Sequence, residues 1–298
     1  MFSWDTMDAV FKIICPKLKI HCWGGLGSQL QALSFYLIVK DKWPDRKLEL
    51  VLHTSGITKR ESEIDFLSSQ INIKSVEDFT SKHINSGHNS FKMRFLKLYK
   101  GQIRSFLNFS KLVITDDNKI MSIMPWTIDI RCTYSKINLS SELIKSLGFL
   151  LKFDPEQAKK DIIGIHYRAG DLLKLKTESL IPLKIILNQI ENLNIDQTKP
   201  KRVVFYSDSD LELAEFKTSS NLEFEFKRTD TLNTILELAS ANVFIGTNSK
   251  VSLWVAILKY GFEIPSLILL PNTILNTFYT LINPFDPIDS FIVNGYNH

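Results

Sequence analysis

Four short clusters hold the side chains that could do chemistry: "GGLGSQ" (24–29), "HYRAGD" (166–171), "SDSD" (207–210) and "TNSK" (247–250). In the second, alternation along a strand puts His166 and Arg168 on one face. An arginine ending a buried strand is costly unless an anion pairs with it, and its planar fork suits a phosphate. A structural Arg168–Asp171 pair beside a satisfied histidine explains the same residues. Asn248, Ser249 and Lys250 open a helical stretch, where N–H groups, a hydroxyl and the helix dipole make an anion site. Ordinary capping by Ser249 or Asn248 accounts for them equally well. Asp208 and Asp210 have the spacing with which carboxylates bridge a divalent cation to a diphosphate. A capping box before "LELAEF" is the favoured reading, because no second acidic cluster completes an octahedral metal site. The glycines of 24–27 make either a tight turn or a bare backbone that a phosphate can approach.

These clusters need a scaffold, and each follows an apolar run that reads as a strand. "LKIHCW" (18–23), "GSQLQALSFYLIVKD" (27–41) and "LELVLH" (48–53) read as strand, helix and strand. Such a βαβ unit argues for a parallel α/β layer. The alternation returns after residue 160, with strands predicted in 161–171, 201–210, "NLEFEF" and "NVFIG". Helices are predicted in 181–193, from 211, in 231–241 and in 251–261, the last closed by Gly261, and "PSLILLP" is the last strand. The polar connector "KFDPEQAKK" places a boundary near residue 155, giving domains 1–155 and 156–298. In open parallel sheets ligands bind at the carboxyl ends of the strands, where all four clusters fall, so a cleft between the two halves is expected.

A 298-residue chain with 44% apolar and 23% charged residues has the composition of a soluble globular protein. Its 36 Lys+Arg against 32 Asp+Glu give a net charge of +4, too small to argue for nucleic acid. Cys15, Cys22 and Cys132 are few, odd in number and lack metal-ligand spacing, as do the histidines. No secretory signal and no apolar stretch of the ~20 residues that span a bilayer is present, so a cytoplasmic protein is expected. Residues 82–111 hold seven Lys or Arg and no acidic residue, interleaved with Phe91, Phe95, Tyr99 and Phe106. They read as a solvated basic helix or as a peripheral contact with anionic lipid headgroups or a lipid diphosphate.

In order, the four clusters resemble the motifs of GDP-fucose-dependent fucosyltransferases, over nearly the full chain. "GGLGSQLQALSFYL" resembles their Gly-Gly-Leu-Gly-Asn-Gln segment, and "IGIHYRAGD" their His-x-Arg-x-x-Asp motif. "FYSDSD" is similar to their Ser-Asp-Asp strand end, and "TNSKVSLWVAIL" to the segment that bacterial α-1,2 members write Asn-Ser-Ser-Phe-Ser-Trp-Trp-Ala. The resemblance implies a GT-B-like α/β fold, two Rossmann-like domains facing across a cleft, with an N-terminal acceptor side and a C-terminal domain for the GDP-sugar. It implies inverting transfer of fucose to the 2-hydroxyl of galactose in a lipid-linked oligosaccharide of surface polysaccharide, at the inner face of the cytoplasmic membrane and with no metal or other cofactor. Arg168 would stabilise the leaving GDP, with His166 beside the donor and Asp171 a candidate general base. Asn248, Ser249 and Lys250 would receive the diphosphate, Asp208 would lie near the guanosine, and Gly25, Gly27 and Gln29 would face the donor. Ala169, Ser28, Lys250 and Leu253 depart from the family's pattern, which leaves another GDP-sugar such as GDP-colitose open. A non-catalytic glycan- or lipid-binding protein of polysaccharide assembly is the remaining alternative.

Overall fold

Lys17, Lys19, His21 and Trp23 alternate with the buried Leu18, Ile20 and Cys22, and the chain there forms β1 (Lys17–Trp23). The computed structural model describes residues 17–54, 61–77, 119–124, 127–131, 137–157, 159–170, 180–193, 201–209, 222–282 and 291–297. The basic segment 82–111, the helix expected from 211, Asp171, Asp210, Cys15 and Cys132 lie outside the described residues. After β1 come α1 (Leu26–Lys42), β2 (Lys47–His53), β3 (Ile73–Val76), β4 (Lys119–Met124) and β5 (Thr127–Arg131). They build a sheet in the order β3-β2-β1-β5-β4, parallel except for the β4–β5 pair. The βαβ start of the chain is therefore as its periodicity predicts.

The chain divides into two compact units, Met1–Ile137 and Asn138–His298, so the boundary expected near residue 155 lies earlier. The reason is α2 (Ser141–Leu150), which belongs to the second unit. A Cβ on Gly261 would lie 2.2 Å from Ile144 Cγ2, so only a glycine lets the two helices approach this closely. Gly261 thus serves packing, and the left-handed residue past that helix is Glu263, at φ 54°. The described part of the polar connector that suggested the boundary, 152–157, lies within the second unit and leads to β6.

The second unit continues with β6 (Lys159–Tyr167), α3 (Leu183–Glu191), β7 (Lys201–Ser207), β8 (Leu222–Lys227), α4 (Thr231–Ala239) and β9 (Ala241–Ile245). It ends with α5 (Lys250–Gly261), β10 (Ser266–Pro271), α6 (Asn272–Ile282) and β11 (Phe291–Tyr296). The strand expected to be last is therefore followed by a helix and an edge strand. The sheet is wholly parallel in the order β11-β10-β9-β6-β7-β8. Read from β8, these are the third, second, first, fourth, fifth and sixth strands of the unit. That is the order of dinucleotide-binding sheets, with its reversal between β6 and β9.

Helices cover both faces. Ile163, Ile165 and Tyr167 of β6 pack with Ile186 and Ile190 of α3 in one apolar cluster. On the opposite face a Cβ on Gly164 would meet Leu238 of α4 at 2.7 Å, and His166 reaches α5. Every residue of α5 from Ser252 to Gly261 is buried, as for a helix enclosed on all sides. Among them is Lys259, whose Nζ donates to Ala241 O and, at 2.9 Å, to Ser266 Oγ. Burial pulls its pKa down from 10.5 to about 7. Among the described residues, no helix is long and apolar enough to cross a membrane.

Candidate functional site

The reversal in strand order leaves the ends of β6 and β9 side by side, and the residues after them form one hydrogen-bonded unit. Tyr167 ends β6 with its ring in the core and its hydroxyl donating to Ile181 O at 3.0 Å. Arg168, half-buried just beyond, donates its backbone N–H to Thr247 Oγ1 at 3.1 Å. The backbone N–H of Thr247 donates to Ser252 Oγ at 3.0 Å, and that oxygen lies 2.9 Å from His166 Nδ1. Two hydroxyls thus tie the post-β6 loop, the post-β9 turn and the first turn of α5 together.

His166 is 8% exposed, and burial is the main force lowering its pKa to about 4. Asp208 opposes that shift and Arg168 adds to it. Its imidazole is neutral near pH 7 and braces α5 through Ser252. Gly246 makes the brace possible. A Cβ there would lie 2.7 Å from Ser252 Cβ and 2.8 Å from Leu270 Cδ2. Tyr296 of the edge strand β11 donates its hydroxyl to Gly246 O at 2.5 Å.

Ser249 caps α5 through its side chain, which accepts from Val251 N at 3.1 Å, and no acidic residue occupies the first turn. Lys250 is the first helical residue, and Asn248 Oδ1 accepts from Thr273 Oγ1 at 3.3 Å. Capping by Ser249 and a positive helix start therefore coexist, and with no carboxylate in the first turn the helix keeps its own N-terminal potential, which attracts anions. Asp208 is exposed after β7, and its Oδ1 accepts from Ala169 N at 2.9 Å and Gly170 N at 2.8 Å. It braces the loop that carries Arg168. Among the described residues no group of three or more His, Cys, Asp or Glu is gathered as if to hold a metal ion.

In the first unit the glycine turn is closed by its own chain. Gly24 adopts φ 111°, which a side chain would strain, and Gly25 is the N-cap of α1. Glu63 Oε1 accepts from Leu26 N at 2.9 Å, so a carboxylate sits on the helix start that a phosphate loop would keep open. Gln29, 2% exposed, donates to Gly24 O at 3.1 Å and Glu61 O at 2.9 Å, and accepts from Glu63 N at 2.9 Å. Its amide thus fastens residues 61–63 over the turn. Gly27 lies buried within α1.

One cluster escaped the sequence reading because its members are far apart in the chain. At the ends of β1 and β2, His21 Nδ1 lies 2.9 Å from His53 Nε2, and the Trp23 and His53 rings stack 4.2 Å apart. The pairing register sets Trp23 beside His53, and alternation puts His21 on their face. The usable signal was a polar aromatic at the end of each predicted strand.

No protein-family model matches the chain, and no curated protein matches it either. Among solved structures, it is similar to an E. coli heptosyltransferase, WaaC, with ADP, at 11% identity and a TM-score of 0.45 over 93% of this chain and 92% of that one. It is similar to POFUT1 in complex with GDP at 13% identity and a TM-score of 0.44, over 85% of this chain and 98% of that one. A third is the iron-containing dodecameric glycosyltransferase TibC from enterotoxigenic E. coli, at 13% identity and a TM-score of 0.39, over 96% of this chain and 64% of that one. Likenesses of this degree extend to neither residues nor ligands.

Proposed function

We propose that the protein is a glycosyltransferase that uses a nucleoside-diphosphate sugar, with GDP-fucose as the donor. The observation that carries the reading is the unit formed by Arg168, Thr247, Ser249 and the start of α5 at the strand-order reversal of a wholly parallel sheet. A glycosyl transition state gathers negative charge on the departing diphosphate. Preorganised N–H groups, a helix N-terminus and a guanidinium lower that barrier, because they need no reorganisation as the charge appears. Arg168 and Lys250 supply the formal charge, while Ser252, His166 and Asp208 hold the loops that present it. The choice of GDP and of fucose rests on the motif resemblance, as do inversion, metal independence, the lipid-linked galactose acceptor and a place at the inner membrane face.

The test is a thermal-shift panel of GDP-, UDP- and CMP-sugars, since a ligand that binds the native state alone raises its melting temperature. GDP and GDP-fucose are expected to stabilise the protein, and Arg168→Ala to remove that stabilisation and abolish transfer without changing the fold. Transfer in EDTA is expected to persist. An Arg168→Ala protein that keeps most of its transfer activity refutes the assignment.

A further inference from the structure

The C=O of Gly246 and the N–H of Thr247 belong to one peptide group, and that group is held from both sides. Ser252 Oγ accepts from the N–H at 3.0 Å, and the carbonyl accepts from the Tyr296 hydroxyl at 2.5 Å. The second hold comes from the edge of the sheet, since β10 lies between β9 and β11. The Tyr296 side chain reaches past β10 within the apolar cluster that contains Ile245 and Leu269, and it is only 6% exposed. Burial pushes its pKa above the usual tyrosine value, so the hydroxyl keeps the proton that it donates. Both neighbours of Tyr296 in the chain lie against Asn272, where α6 begins. Asn272 Nδ2 donates to Asn297 Oδ1 at 2.5 Å, and Gly295 is so near that a Cβ there would overlap Asn272 Oδ1.

We infer that Tyr296 is a positioning residue for the diphosphate site, which it serves by locking the 246–247 peptide in one orientation. The inference rests on the glycosyl-transfer reading. Glycine stands before this peptide because Ser252 and Leu270 leave no room for a Cβ, and a glycine leaves the peptide easiest to turn. In a planar trans peptide the C=O and N–H point in opposite directions, so a turn of the group exchanges them. The Gly246 carbonyl would then face Ser252 in the first turn of α5, setting a partial negative charge where an N–H now points. The same turn would displace Thr247, whose Oγ1 accepts from the Arg168 backbone N–H at 3.1 Å. Without the Tyr296 hydroxyl the buried carbonyl is left unsatisfied, and turning toward the Ser252 hydroxyl relieves it. Tyr296 removes that incentive, and so holds the peptide, Thr247 and the Arg168 loop in register with the helix start.

The experiment uses the full chain with GDP as the probe. Binding and melting are measured by calorimetry, and amide hydrogen exchange is followed by NMR without ligand. Tyr296→Phe removes one oxygen and is expected to weaken GDP binding about fivefold. It is also expected to speed exchange of the Thr247 amide about tenfold, with that of Phe244 in β9 within about twofold of wild type. Tyr206→Phe is the comparator, since it takes the same atom from another buried tyrosine of this unit, whose hydroxyl donates to Glu237 Oε2 at 2.6 Å. It is expected to lower the melting temperature and yet to bind GDP within about twofold of wild type. Equal losses of affinity in the two variants would make the effect one of stability alone and overturn the inference. Unchanged affinity in Tyr296→Phe, beside a wild type that binds GDP, overturns it as well, and leaves the donor reading standing. If Tyr296→Phe does not fold, the wild type decides. Its Thr247 amide is expected to exchange about as slowly as that of Phe244, and exchange at the rate of an open loop refutes the lock. A wild-type protein that fails to bind GDP overturns the donor reading first, and the inference falls with it.

Discussion

Ser252→Ala isolates the brace from the charge it positions. Ser252 is fully buried, and its oxygen serves both the backbone N–H of Thr247 and the His166 ring. Removing it strands two buried polar groups. Each unsatisfied group costs about 1–3 kcal/mol, and because the two share one site the sum is taken as about 3 kcal/mol. For a unit of this size, roughly 2–4 °C of melting temperature per kcal/mol gives a fall of about 6–12 °C by calorimetry. Because Thr247 Oγ1 holds the backbone of Arg168, GDP binding is expected to weaken about tenfold, or about 1.4 kcal/mol, although no charge is lost. Thr273→Ala is the control, since its exposed hydroxyl makes only a 3.3 Å bond to Asn248. It is expected to change stability by no more than about 0.5 kcal/mol. A Ser252→Ala protein that melts within about 2 °C of wild type and binds GDP normally would refute the reasoning, because about 3 kcal/mol cannot be hidden at that slope.

Lys259 gives the protein a pH dependence of definite sign. Its pKa lies near 7 when folded and near 10.5 when unfolded, so between those values the unfolded chain binds the extra proton and stability rises with pH. Melting temperatures from pH 7 to 9 are expected to climb in wild type and to climb less in Lys259→Met. Gln29→Ala leaves Gly24 O, Glu61 O and Glu63 N without the amide that joins them, at a cost of about 2 kcal/mol. Calorimetry should show a lower melting temperature with an unchanged GDP affinity. A loss of affinity without a loss of stability would instead place Gln29 at the donor site.

The sequence revealed the second unit better than the first, for physical reasons. Among the described residues between 159 and 271 the strands carry short apolar runs, or alternate as β8 does, and the helices are amphipathic or wholly buried, so period and polarity mark the elements. The four clusters were legible because parallel sheets set their polar residues at strand ends. Their division of labour was not, since it depends on hydrogen bonds between residues far apart, such as His166 with Ser252 and Gln29 with Glu63. The boundary was misplaced because a polar, proline-containing turn inside a unit has the composition of a linker. α6 and β11 are hard to read from the sequence although Ile274, Phe278 and Leu281 have helical spacing, because an apolar strand bounded by prolines has the pattern of a closing strand.

The starts of α1 and α5 each follow a strand and a turn, and their chemistry is opposite. At α1 the Leu26 N–H donates to the Glu63 carboxylate, so a negative charge already sits at the helix start and a diphosphate there would meet repulsion. At α5 the cap is an uncharged hydroxyl, no acidic residue lies in the first turn, and the imidazole nearest it is neutral. The field at α5 is therefore set by the helix, Lys250, Arg168 and the Asp208 carboxylate on the Arg168 loop, while Thr247 and Ser252 fix where that field points. Charge and position can thus be separated by substitution. Arg168→Lys keeps the charge and loses the planar fork, whereas Ser252→Ala keeps the fork and loses its support. If diphosphate affinity followed charge alone, both variants would bind GDP as wild type does. The lost fork argues that Arg168→Lys will bind it less well, and the hydrogen bond from the Arg168 backbone to Thr247, which Ser252 holds in place, argues the same of Ser252→Ala.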